Sequence, residues 1–423
     1  MKALARRGVL LGISAAVLAV GASAVGGVIS GVPGSGAERA APTPLTAIDR
    51  YQATLRESPA DSRTWTSLGF AYLERARASH EPGFYPRSEG AFGTALRLDP
   101  EAFNAMIGMG ALANARHEFA RAVGWARRAQ RISSETPALY GVLADAHTQL
   151  GDAAAAGAAA RRMAELEPGV SSFTRLSYDA ERRGDRAGAR ELLQQALGAA
   201  YTPAERAFCR YYLGELAFHA GDLGEAGRQY DLGLDADPTA VAPLQGRAKT
   251  AALRGDLTGA LRAYRTLTGR VPVPQYLLEY AELLTASGDG AGADAQLGVL
   301  AALRKVQSAN GVADDLTWSE LAAATGDPAG ALRYARAEWD RRRGPIVADA
   351  LAWALHLNGR DSEALPYARI ATASGWHNAL FRYHRSRVEA ALGDDGAARR
   401  SLARAKADNP RFDPRLSALG RIA

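Results

Sequence analysis

The chain has 423 residues, 47% of them hydrophobic and 7% aromatic, with one cysteine and a formal charge of +6. One cysteine excludes an intramolecular disulfide framework. Setting aside Lys2, Arg6 and Arg7 leaves a charge of about +3 with acids and bases interspersed, so no basic stripe or recognition module points to nucleic acid.

Lys2, Arg6 and Arg7 precede an apolar stretch from Gly8 to about Val32, broken only by glycines and serines. A basic start followed by an apolar run addresses a chain to the membrane. Ala22-Ser23-Ala24 offers a small-x-small cleavage site, while a run of roughly 25 residues is also long enough to span a bilayer. Residues 1–33 are expected to be a signal peptide or a retained N-terminal membrane anchor, and 34–44 a flexible linker. Either form places the remainder outside the cytoplasm. Cys209 fits export and is expected to be a small buried residue in a helix.

From residue 45 to 410 the sequence is periodic. Gly151, Gly184, Gly221, Gly255, Gly288, Gly326, Gly359 and Gly393 follow one another at 33, 37, 34, 33, 38, 33 and 34 residues. All but Gly359 are followed by Asp. Seven residues before the glycine, or at the matching phase, stand Gly69, Gly110, Ala144, Ser177, Gly214, Ala248, Ala281, Ser319, Ala352 and Ser386. Five residues after it stand Ser88, Ala122, Ala156, Ala189, Ala226, Ala260, Ala293, Ala331, Ala364 and Ala398. Small residues in register let two antiparallel helices approach closely. The Gly takes the left-handed conformation that closes the first helix, and the Asp caps the second. A half-repeat (Ala47, Tyr51, Leu55, Pro59) precedes ten phased copies, with Gly83 and His117 at the glycine position of the first two. Extra residues near 76–82, 199–205 and 305–314 are expected to form surface loops. Residues 411–423 form a tail too short for a full capping helix, leaving apolar surface at that end and a route to oligomerisation through the terminal repeats.

These columns resemble the tetratricopeptide repeat (TPR), and the clearest copies are Trp65…Leu68-Gly69…Tyr72 and Leu213-Gly214…Gly221-Asp222…Ala226…Tyr230…Pro238. The composition and signal look like those of exported repeat proteins of high-GC bacteria. The resemblance implies an all-α fold: a right-handed superhelical solenoid of about ten antiparallel helix pairs. It also implies that the first helix of each pair lines a concave groove. Transferring the groove positions gives Asn104, Asn114, Asp145, Thr174, Tyr178, Tyr211, Glu215, Gln245, Lys249, Gln275 and Glu282. The ninth repeat adds Asp349, Trp353 and His356, and the tenth adds Tyr383 and Arg387. This mixed polar and aromatic row suits a protein or peptide partner, with its densest part at Trp353 and Tyr383. The clamp that some relatives use for chaperone C-termini is missing, since Thr66 and Phe70 stand at those positions.

No nucleophile elbow, P-loop or dinucleotide fingerprint is present, so a non-catalytic scaffold without cofactor or metal is expected. Two competing readings remain: a mixed His-carboxylate metal or enzymatic site from Asp349, His356, His377 and His384 near the end of the chain, and a structural protein that self-assembles through its terminal repeats.

Overall fold

Each glycine of the ladder sits where backbone geometry demands one. In a computed structural model describing residues 44–420, all eight have positive φ, from 67° at Gly359 to 91° at Gly255. The aspartates that follow behave as expected: Asp152, Asp185, Asp222, Asp256, Asp289, Asp327 and Asp394 each cap a helix through a main-chain N–H three residues on. At the first repeat the left-handed residue is His80 (φ 58°) rather than Gly83 (φ −59°), a correction to the phasing. His117 (φ 63°) does stand in for glycine in the second.

The resulting elements are a single helix α1 (Pro44–Glu57) and ten hairpins. The hairpins pair α2 (Ser62–Ser79) with α3 (Phe84–Leu98), α4 (Phe103–Ala115) with α5 (Phe119–Gln130), and α6 (Pro137–Leu150) with α7 (Ala153–Leu166). They continue with α8 (Val170–Arg182) and α9 (Arg186–Gly198), α10 (Pro203–His219) and α11 (Leu223–Ala236), and α12 (Val241–Leu253) and α13 (Leu257–Arg270). Next come α14 (Pro274–Ala286) and α15 (Gly290–Ala309), then α16 (Asp315–Ala324) and α17 (Pro328–Arg341). The last two are α18 (Pro345–Leu357) with α19 (Asp361–Ala371), and α20 (Ala379–Ala391) with α21 (Asp395–Asp408). A 3₁₀ segment, Pro414–Gly420, follows. This is the all-helical, TPR-type solenoid that the columns imply, with no strand among the described residues.

The two small columns face each other inside each hairpin. Ser177 and Ser319 donate to the carbonyls of Ala189 and Ala331, while Ser88 donates to that of Gly69. A methyl added at Gly214 would overlap the ring of Tyr230, which is completely buried. The extra residues of the first, fifth and seventh repeats chiefly lengthen helices instead of looping out. α2, α10 and α15 have 18, 17 and 20 residues. Pro203 at a helix start and a Thr202–Glu205 capping box explain why the second insertion enters α10.

Successive first helices also pack on one another, α2 on α4, α4 on α6, α10 on α12, α16 on α18 and α18 on α20, which puts them on the inner side of the curve. The curve is tight enough for the chain to meet itself. The Ala313 N–H donates to the Arg116 carbonyl, Arg342 to the Gln149 side chain, and Asn409 to the Phe218 carbonyl. Arg186 reaches the carbonyls of His219, His377 and Asp408 together. Arg186–His377, Gln149–Arg342 and Phe218–Asn409 join residues 191 to 193 apart across this seam, so one superhelical turn takes between five and six repeats of about 34 residues, and Arg186 reaches further to Asp408, 222 residues on. The within-repeat turns of repeats two to five thus lie on the between-repeat loops of repeats seven to ten. Tyr178, Ala348, Ala371, Trp376 and Phe381 make the seam's apolar cluster.

The expected signal or anchor, in residues 1–33, lies outside the described residues; no helix among the described residues is long and apolar enough to cross a membrane.

At the seam Gly184 and Gly375 are in backbone contact, and a methyl on Gly375 would collide with the Arg183 carbonyl oxygen. Gly375→Ala should therefore cost about 1–3 kcal/mol and part the two turns. A lower unfolding midpoint and a larger radius of gyration by small-angle scattering are expected. Gly298→Ala, on an open face of α15, should change neither adversely.

Candidate functional site

The groove positions divide into two groups. In the middle of the solenoid they are buried and bonded to one another. Lys249 is completely buried, its Nζ 2.7 Å from Glu215 Oε2 and 4.5 Å above the Phe218 ring. Glu215 also accepts from the Tyr230 hydroxyl. Gln245, likewise completely buried, donates to both oxygens of Glu279 at 2.9 and 3.0 Å and lies 3.4 Å from the Tyr211 hydroxyl. Tyr264 and Gln275 donate to Glu279 as well. Partners in this ladder recur at a separation of 34 residues, one repeat, because equivalent positions of neighbouring first helices stand side by side.

The charges are held by this arrangement. Burial alone would raise the Glu215 carboxyl, but the Lys249 ammonium and His219 hold it down at about 2. Glu279 lies above the ordinary carboxylate range because burial outweighs Lys249 and its hydrogen bonds. Burial lifts the Tyr211, Tyr230 and Tyr264 hydroxyls well above their usual values, so all three remain donors.

Of the other early positions, Asp145 takes a two-pronged ion pair from Arg175 at 2.7 and 2.8 Å, and Tyr178 is committed to the seam, edge-on to Trp376. Glu181 stands beside them. Burial raises its carboxyl to about 7, opposed in part by Trp376 and Arg186 and reinforced by Glu215.

The second group stays open. α18 and α20 bring Trp353, His356, Tyr383 and His384 into one cluster, as the sequence implied. Trp353 stacks on His384 with ring centres 4.1 Å apart, and its centre is 5.0 Å from His356 and 6.4 Å from Tyr383. His384 Nδ1 lies 2.8 Å from Asp349 Oδ2, whose other oxygen is buried without a hydrogen-bond partner. Trp353, His356 and Tyr383 are half-buried and Arg387 is exposed. Glu282, on α14, meets the end of the chain.

The competing metal reading fails on geometry. His384, His356 and His377 pair with three different carboxylates, Asp349, Asp361 and Asp408. Among the described residues no group of three or more His, Cys, Asp or Glu side chains is placed to hold a metal ion. Cys209 is buried and free, as expected, and burial raises its thiol to about 12.

Sequence reasoning missed Glu279, Glu181, Arg186 and Trp376. The 34-residue matches Glu215–Lys249 and Gln245–Glu279 were a readable signal for the first. Nothing periodic marks the other three, which serve the seam.

The family model of the tetratricopeptide repeat matches residues 73–137 and 174–241. Among solved structures, the chain is similar to the human IFIT1 dimer with PPP-AAAA (14% identity, covering 85% of this chain and 86% of that one, TM-score 0.49). It is also similar to yeast Tom70 (14% identity, 84% and 86% covered, TM-score 0.43). A third is TTC0263, a thermophilic TPR protein of Thermus thermophilus (20% identity, 45% and 97% covered, TM-score 0.39). No curated protein matches the sequence.

Lys249→Met should leave Glu215 buried without its cation and lower stability by about 3–5 kcal/mol near neutral pH, measured by urea unfolding; adding Glu215→Gln should restore most of it. The raised Glu181 carboxyl binds its proton more tightly in the folded chain. Its contribution is full below about pH 4.5 and lost as pH rises through about 7. Glu181→Gln should accordingly stabilise the chain by about 1–2 kcal/mol near pH 8, with the gain vanishing below about pH 4.5.

Proposed function

We propose that the chain is a non-catalytic scaffold that holds a peptide or protein segment on the first-helix face of its solenoid, with the accessible contact area in the ninth and tenth repeats. The observation that carries this reading is the contrast along that face. Tyr211, Glu215, Gln245 and Lys249 are buried and already partnered by the chain itself, while Trp353, His356, Tyr383 and Arg387 keep exposed surface on adjacent helices. Aromatic side chains with one open edge, ringed by polar groups, are the usual anchors of a protein contact. His384, stacked on Trp353, and His356, tilted against it, stiffen the cluster, which lowers the entropy lost when a partner docks. Asp145 and Tyr178 support the frame rather than the partner.

The scaffold is proposed to work outside the cytoplasm, anchored or released by residues 1–33. The basic start and apolar run support this placement. Protease treatment of intact cells should degrade the repeats; full protection until the cells are lysed would oppose it.

Trp353→Ala with Tyr383→Ala, in a chain of unchanged helicity by circular dichroism, should reduce partner capture from an envelope extract at least about tenfold, the scale of a contact hot spot. Capture equal to that of the unaltered chain would remove the site.

A further inference from the structure

The last residues of the chain lie on the face just assigned to a partner. After α21, Pro410 packs on Gly221 and Asn409 donates to the Phe218 carbonyl, which fixes the tail's starting point on the fifth repeat. The tail then turns inward. Phe412 sets its ring 5.8 Å from Tyr383, and Pro414–Gly420 lies between α14 and α20, both first helices. Leu419 is 1% exposed and, with Leu416, joins the apolar cluster of Leu244, Tyr276 and Tyr280. The Glu282 carboxylate accepts the Ala418 N–H at 2.9 and 3.2 Å and the Ser417 hydroxyl at 3.2 Å.

Two features separate this contact from ordinary end-capping. First, Tyr383 and Glu282 are both positions at which the repeat phase places partner contact. The tail thus meets the groove at an aromatic anchor and at a carboxylate that takes one main-chain N–H and one hydroxyl. Second, its conformation is irregular. The 3₁₀ run is broken at Leu416 (φ −120°, ψ 49°), so no cooperative helix holds it, and burial of two leucines is set against the ordering of about ten residues. Phe412, Leu416 and Leu419 are the apolar side chains by which the tail meets the groove, Phe412 at Tyr383 and the two leucines at the cluster of Leu244, Tyr276 and Tyr280.

We propose that residues 411–420 are an internal occupant of the partner site, displaced by a partner segment of the same chemistry. That partner is a peptide with an aromatic residue followed four and seven positions later by leucine-sized side chains, one main-chain N–H between them and a neighbouring hydroxyl meeting Glu282. The proposal rests on the groove reading above and adds the kind of partner and its competitor. Binding then scales with how often the tail is undocked, since only the open fraction accepts the partner.

The test uses the full-length chain and, as probe, a fluorescent synthetic peptide of residues 411–420. In Leu416→Asp/Leu419→Asp, which releases the tail, the peptide should bind at least about tenfold more tightly than in the unaltered chain, read by anisotropy. Adding Glu282→Ala should weaken it again by about tenfold. Equal affinity for released and unaltered chains, or no binding to either, overturns the proposal. Should the double aspartate variant lose helicity, Phe412→Ala/Leu416→Ala takes its place with the same expected ordering. Hydrogen exchange on the unaltered chain is the second measurement. Amides 415–420 should exchange at least about a hundredfold faster than those of 277–284 in α14; equal protection makes the tail a fixed cap and removes the proposal. If the peptide fails to bind but Trp353→Ala/Tyr383→Ala still abolishes partner capture, the groove reading stands and only this inference falls.

Discussion

The close approach of two helices across facing columns of alanine, glycine and serine sets the geometry of the whole molecule. Ala122, Ala189, Ala226, Ala260, Ala331 and Ala364 are completely buried, so the same small contact recurs from hairpin to hairpin. Identical units stacked by one operation give constant curvature, and here the curvature returns the chain to itself after fewer than six repeats. Gly375 then matters as much as any ladder glycine, although its own φ is unexceptional. It lets the backbone of one turn rest on the next, and the same absence of a side chain at Gly184 completes the contact. An ordinary solenoid is held by neighbour contacts alone. This one is also tied across about 190 residues by Arg186, Arg342 and Asn409.

Tight curvature explains the polar interior. Equivalent positions of α10, α12 and α14 come within hydrogen-bond reach, so charge complementarity one repeat apart becomes direct contact. Lys249 is kept in the interior by Glu215 and by the face of Phe218. Removing either charge alone leaves the other stranded, which is why such a pair specifies the arrangement more than it stabilises it. The consequence is that the central groove is no longer available to a partner. Side chains that a more open superhelix would present outward are here consumed by the chain.

Much of this was legible in the sequence, and the boundary is physical. The Gly-Asp ladder, the two small columns, the half-repeat at α1 and the clustering of Trp353 with Tyr383 are local properties of a 34-residue unit, which periodicity reports directly. His80 was missed because a histidine in the left-handed region has no sequence mark that distinguishes it from Gly83 nearby. The insertions were readable as extra residues but not as longer helices, since Ala-rich segments can extend a turn as readily as loop out. The seam was invisible. It depends on the sum of ten small rotations, and no single repeat encodes where Tyr178 will meet Trp376. For the same reason the groove positions were correct as places on first helices yet silent about which would remain open.

The seam and the open aromatic cluster share two helices. α18 and α20 give Ala348 and Phe381 to the seam and Trp353 and Tyr383 to the open aromatic cluster. The positions differ by five residues in α18 and by two in α20, about one turn and a half-turn, so neither helix can shift at one face without moving at the other. Packed interfaces respond to such a shift by changing between discrete arrangements rather than by yielding gradually. A segment docked on Trp353 and Tyr383, as proposed, would pull on the same two helices that keep the superhelical turns together. A chain built from neighbour contacts alone would absorb that pull within a repeat or two. In this chain Phe381 touches Trp376, which meets Tyr178 edge-on, so the packed contacts that begin at α20 continue to α8 in the first turn.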